Sequence, residues 1–213
     1  MRRGCISPAR APRPGSGRAG RGAVIAAAFF LGAWFAMPAG AGVEEGRQKA
    51  QACVACHGPD GNSQAPAFPS IAGQPRQFIE MSLIMFREGR RINEVMKPIV
   101  DKMSNADVRD LAQYFAGQTM APPARKPDAE VAARGREITE KNNCVQCHGP
   151  RLTGQQHIPR LAGQHKEYLL AQLKGFKAAK RADFDGTMTS AAQALSADQL
   201  DLVADYLSTL SPP

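Results

Sequence analysis

One stretch occurs twice in this chain: Cys53-Val54-Ala55-Cys56-His57-Gly58-Pro59 and Cys144-Val145-Gln146-Cys147-His148-Gly149-Pro150. Cys-x-x-Cys-His is the attachment signature of c-type haem. On one helical turn, residues at i, i+3 and i+4 share a face. Cys53 with Cys56, or Cys144 with Cys147, can therefore reach the two vinyl groups of a porphyrin, while His57 or His148 aims its imidazole at the iron. Two copies imply two covalently bound haem c groups. Disulfides, thiol redox pairs and a shared zinc site are the competing uses of four such cysteines. Disulfides and redox pairs leave both histidines unexplained, and the interval between the motifs is too long for a usual zinc site.

Residues 1–41 read as a secretory signal peptide. They hold six arginines and no acid, then an apolar run from Ala23 to Met37, then Ala39-x-Ala41 before the expected cleavage point. The run is about 15 residues, short of the roughly 20 that a spanning helix needs. An uncleaved anchor is the alternative, and it would tether the protein to the membrane surface. The fifth cysteine, Cys5, leaves with the leader. So does most of the positive charge: of the 27 basic residues 21 remain, against 19 acids, a balance of +2 before any porphyrin carboxylate is counted. The remainder shows no basic stripe with interleaved aromatics, so nucleic acid is excluded as a partner.

The rest is a tandem duplication: domain 1 over 42–118, a linker over 119–128 and domain 2 over 129–213. Pro69-Ser70-Ile71-Ala72-Gly73-Gln74 answers Pro159-Arg160-Leu161-Ala162-Gly163-Gln164. Phe86 answers Phe176 and Tyr114 answers Tyr206, at offsets of 89 to 92 throughout. Helical periodicity predicts a first helix reaching into each haem motif (Val43 to Ala55, Ala129 to Gln146) and a second over Arg76 to Arg87 and His165 to Ala178. A last helix in each repeat starts behind the capping sequences at Ser104 and Ser196. No stretch alternates as a strand does. Gly46 and Gly135 would let the terminal helices cross closely beside Tyr114 and Tyr206, both read as core. Pro122, Pro123 and Pro127 stiffen the linker. Each domain has only about 80 residues and would be marginal without a buried porphyrin as its apolar centre.

Over the whole region after the leader, the chain resembles a di-haem class I cytochrome c of the cytochrome c4 family. That resemblance implies an all-α fold of two tandem class I cytochrome c domains, each wrapped around one covalently bound haem with histidine and methionine as axial ligands. On this sequence the ligand pairs become His57 with Met96 and His148 with Met188, at spacings of 39 and 40 residues. Met188 is the only methionine after the second motif; Met81, Met85 and Met103 compete in the first domain and read as packing. His157 and His165 are rival ligands in the second. Pro69 and Pro159 resemble the proline whose carbonyl accepts the Nδ1 proton of the haem histidine.

An iron with both axial positions filled has no open site for oxygen, peroxide or substrate, and thioether ligation raises its potential. The expectation is a periplasmic electron carrier rather than an enzyme. Its partners would be redox proteins, with a quinol–cytochrome c reductase as donor and a terminal oxidase as acceptor. Two alternatives stand beside it: the di-haem subunit of a flavocytochrome sulfide dehydrogenase type of complex, and a haem enzyme such as a di-haem peroxidase or a thiosulfate-type dehydrogenase. Arg87, Arg90, Arg91 and Lys97 parallel Lys174, Lys177, Lys180 and Arg181, and read as solvated helix ends rather than as a steering patch.

Overall fold

The computed structural model describes residues 41–211. The leader expected over 1–41 lies outside the described residues, except for Ala41, which opens the first helix. Ten α-helices follow among the described residues, and no strand beyond one isolated bridge between Gln155 and Ile158. The first five are α1 (Ala41–Lys49), α2 (Val54–His57), α3 (Arg76–Arg87), α4 (Met96–Val100) and α5 (Asn105–Ala116). The second five repeat them: α6 (Ala129–Lys141), α7 (Cys144–His148), α8 (Lys166–Lys177), α9 (Thr187–Gln193) and α10 (Ala197–Ser208).

Each lobe is closed by its terminal helices, α1 crossing α5 and α6 crossing α10. Glycine permits the approach. A Cβ on Gly46 would lie 2.2 Å from the Asp110 carbonyl oxygen and 2.7 Å from the Tyr114 Cβ. A Cβ on Gly135 would lie 2.3 Å from the Tyr206 Cβ. Behind each crossing lies a core of equivalent residues: Ile79, Leu111, Ala112, Tyr114 and Phe115 in lobe 1, and Leu169, Val203, Ala204, Tyr206 and Leu207 in lobe 2. Tyr114 is not only core filler, because its hydroxyl donates to Asp60 Oδ1 at 2.8 Å. The last helices start where the capping sequences place them. Ser104 accepts from the Asp107 amide and Ser196 from the Gln199 amide, and each third residue bonds back, closing a capping box.

Two elements differ from the sequence expectation. The helix leading into each haem motif is not continuous. In lobe 1 it tightens into a 3-10 turn over Ala50–Cys53 before α2. In lobe 2 it stops at Lys141, and Asn143 takes a left-handed conformation with φ of 57° before α7. Asparagine tolerates that conformation better than most residues, so the break falls where the sequence is most permissive. The short helices α4 and α9 were not expected, being too short for a periodic apolar face to register. The linker is also held by more than proline. The Asn62 side chain donates to Thr119 O and accepts from Ala121 N in lobe 1, Met120 is buried, and Arg125 and Lys166 both pair with Asp205 of lobe 2.

Candidate functional site

Each haem motif ends with its histidine turned inward. His57 and His148 are 8% and 4% exposed. Each directs Nδ1 at a proline carbonyl, His57 to Pro69 and His148 to Pro159, at 2.8 Å in both lobes. A carbonyl only accepts, so Nδ1 carries the proton and Nε2 is left as a free lone pair. Burial pushes both imidazoles below their ordinary value, which keeps them neutral at pH 7. A neutral imidazole with Nδ1 anchored and Nε2 free is what an iron ligand requires.

None of the four cysteines is paired in a disulfide; three are half-buried and Cys147 is exposed. Burial pushes Cys53 up to about 11 and Cys144 upward as well. A raised thiol is the reverse of the lowered one that a thioredoxin-like pair uses. Among the described residues, no three His, Cys, Asp or Glu side chains gather to hold a bare metal ion. Cys53 and Cys144 pack instead against the apolar cores, as do half-buried Ile71, Leu83 and Met103 in lobe 1 and Leu161, Leu170 and Leu173 in lobe 2.

Met96 and Met188 open α4 and α9, and both are half-buried. Each is gripped by a side chain that the sequence reading missed. Asn93 Oδ1 accepts from the Met96 amide at 2.8 Å and the Val95 amide at 3.0 Å. Asp183 Oδ2 accepts from the Met188 amide at 2.6 Å and the Thr189 amide at 3.2 Å. Asn93 and Asp183 are themselves repeat equivalents, 90 residues apart. Their signal, a short polar acceptor shortly before each methionine, is visible only once the methionines are singled out. The rivals are placed otherwise. Met81 and Met85 lie on α3, and Met103 packs against the lobe 1 core. His165 directs Nε2 to Ser63 O of the other lobe at 3.0 Å, and exposed His157 lies by the Phe184 ring.

Comparison with known proteins agrees with this geometry. Residues 132–211 match the protein-family model for cytochrome c, and residues 36–115 match that for cytochrome c oxidase, cbb3-type, subunit III. The cytochrome c4 of Thiocapsa roseopersicina is 39% identical over 170 residues, covering 75% of this chain and 87% of that protein. The chain belongs to the cytochrome c4 family. The crystal structure of reduced recombinant cytochrome c4 from Pseudomonas stutzeri superposes with a TM-score of 0.74 at 29% identity, over 79% of this chain and 98% of that one. A thiosulfate dehydrogenase electron acceptor from Thiomonas intermedia is 33% identical over 177 residues, 77% of this chain and 82% of its own. The fold is two tandem class I cytochrome c domains. As a cytochrome c4 relative, the chain is an electron-transfer cytochrome with two covalently bound haem c groups.

The two cytochrome domains meet at a polar, buried seam. Arg91, 9% exposed, donates from Nη2 to the Tyr168 hydroxyl at 2.9 Å and to Gln172 Oε1 at 3.0 Å, and its guanidinium stacks over Phe86. Arg181 stacks over Phe176, and burial and then the Arg91 charge push it down to about 9. These two residues correct the reading of the basic cluster as solvated helix ends: they follow α3 and α8 at the point where the lobes touch. Lys97 and Lys177 also turn inward, onto the carbonyls of Arg87 and of Gln193 and Leu195. Arg90, Lys174 and Lys180 remain exposed. Arg160, 3% exposed, spans the seam to the Ala72 carbonyl at 2.9 Å. Arg160 Nε and Arg181 Nε are buried without a protein acceptor. Each porphyrin brings two carboxylates, the kind of acceptor such orphaned donors need, so these residues fit the group.

Proposed function

We propose that this protein is a periplasmic one-electron carrier, exported behind residues 1–41, with haem domains over 42–118 and 129–213 joined by 119–128. Cys53 and Cys56 would hold one haem by thioether bonds, with His57 and Met96 as axial ligands. Cys144 and Cys147 would hold the other, with His148 and Met188. The observation that carries this reading is the pair of buried histidines, each with Nδ1 committed to a proline carbonyl at 2.8 Å and Nε2 left free. Haem supplies the one-electron redox couple. The chain keeps each imidazole neutral and oriented, holds its proton on Nδ1, and fixes the backbone of each methionine through Asn93 or Asp183. With His57 and Met96 both holding one iron, and His148 and Met188 the other, no place would be left for substrate, so the protein would relay electrons between redox proteins and would not itself be an enzyme.

The test is a haem count with axial-ligand spectroscopy, repeated on Met96→Ala and Met188→Ala. The wild type is expected to hold two low-spin haems with methionine ligation and to bind no carbon monoxide at neutral pH. Each variant is expected to open one iron to carbon monoxide. A single haem, or a high-spin iron in the wild type, overturns the proposal.

A second reading concerns the partner. Similarity to a thiosulfate dehydrogenase electron acceptor supports the alternative of a di-haem cytochrome serving a sulfur-oxidising enzyme, with a thiosulfate-oxidising donor. Rapid reduction by a thiosulfate dehydrogenase supplied with thiosulfate, without reduction by thiosulfate alone, would establish it. The acceptor at the other end is expected to be a terminal oxidase or another reductase.

A further inference from the structure

Each haem-motif histidine is bonded to a peptide group that the opposite lobe also grips. His57 Nδ1 donates to the Pro69 carbonyl. The N–H of that same peptide group belongs to Ser70, and it donates to Gln164 Oε1 of lobe 2 at 2.9 Å. In the other lobe His148 Nδ1 donates to the Pro159 carbonyl. The N–H of that peptide group belongs to Arg160, and it donates to Gln74 Oε1 of lobe 1 at 2.9 Å. Each glutamine closes the grip with its Nε2, Gln164 onto Ser70 O at 2.8 Å and Gln74 onto Arg160 O at 3.0 Å. Both side chains are buried, at 3% and 4% exposure. Gln74 and Gln164 are repeat equivalents, so the duplication has produced one clamp twice, each copy closing on the other lobe.

We propose that Gln74 and Gln164 are positioning residues, each tuning the iron ligand of the lobe opposite its own. The proposal rests on the reading of His57 and His148 as iron ligands. Its physical basis is the polarisability of a peptide group. An amide that donates through its N–H gathers negative charge on its carbonyl oxygen, and hydrogen bonds in series strengthen one another. Gln164 therefore strengthens the bond that Pro69 accepts from His57, and Gln74 does the same for His148 through Pro159. A stronger Nδ1–H bond makes the imidazole a more basic ligand, which favours ferric over ferrous iron and lowers the potential. The clamp thus links the potential of each lobe to the docking of the other.

The test uses the full-length holoprotein and its variants Gln164→Met and Gln74→Met. Midpoint potentials of both haems are measured by spectroelectrochemistry. Each is assigned to a lobe through the hyperfine-shifted ring resonances of His57 and His148. Gln164→Met is expected to raise the lobe 1 midpoint and to speed exchange of the His57 Nδ1 proton, with lobe 2 unchanged. Gln74→Met is expected to give the mirror result. Gln164→Glu keeps an oxygen that accepts from Ser70 N–H, and should hold the lobe 1 midpoint at or below the wild-type value. Gln164→Asn draws the amide back by one methylene and carries the same expectation as the methionine variant should that variant lose haem. A shift in the variant's own lobe, equal shifts in both, or none in a two-haem protein overturns the proposal. Failure of the ligand reading would show separately, as a wild-type spectrum without histidine-ligated iron.

Discussion

At Gly46 and Gly135 a hydrogen atom is the largest substituent that the helix crossing admits. Gly46→Ala would set a methyl 2.2 Å from the Asp110 carbonyl oxygen, and that oxygen belongs to helix backbone that cannot swing aside. Overpacking of this kind costs about 3 kcal/mol. A thermal melt of Gly46→Ala is expected to show lobe 1 destabilised by about that amount, with both haems retained. Some site residues announce themselves at this scale. Cysteines and histidine at fixed spacing have one good joint use, and proline at the right interval after the histidine supplies a carbonyl. Others do not. Gln74 and Gln164 are plain repeat matches in sequence, and only the fold shows that each faces the other lobe's histidine-bonded peptide. Arg91 and Arg181 look like helix-end cations because charge is visible in a sequence and burial is not.

Helices α3, α5, α8 and α10 were legible because each is long and periodic, and α5 and α10 also follow a capping sequence. The segments around the iron were not, because α4 and α9 are short and are held by Asn93 and Asp183 side chains rather than by a repeating apolar face. The capping boxes differ between lobes in a way that pH can reveal. Asp107 closes the box in lobe 1, and the Lys49 ammonium, followed by Ser104, holds its carboxyl down to about 2. A carboxylate whose folded pKa is depressed contributes stability above its unfolded value, near 4, and that contribution is lost as pH falls towards 2. The lobe 2 box is closed by Gln199, which does not titrate. Asp107→Asn is therefore expected to flatten the acid limb of the stability curve between about pH 4 and pH 2. Ser104→Ala, which removes the cap itself, should cost about 1 kcal/mol at neutral pH. Chemical denaturation at a series of pH values checks both.

The two lobes are joined as two copies of one surface, with local two-fold character: Gln74 and Gln164 exchange equivalent bonds across it. The symmetry is broken where Arg160 stands opposite Ser70, and where Arg91 reaches Tyr168 and Gln172. Removing a buried charged donor that serves two acceptors costs about 2 to 3 kcal/mol. Arg91→Ala is expected to lower the unfolding free energy by that amount, read from the fall in the denaturation midpoint, and to loosen the seam. Hydrogen exchange at the Ser70 and Arg160 amides would report the loosening, whereas amides buried within α5 and α10 should exchange as before.

By itself the sequence determined the covalent chemistry and the helical plan. A repeated Cys-x-x-Cys-His, a duplicated pattern around it and caps at the right places are local signals, each read within a few residues of where it acts. Tertiary structure decided what the local signals do to one another. It turned a matched pair of glutamines into a clamp across the lobes and moved two arginines from solvent into a seam. These outcomes depend on which residues lie close across some 90 positions of chain, and a hydrogen bond that spans such an interval leaves no periodicity in the sequence.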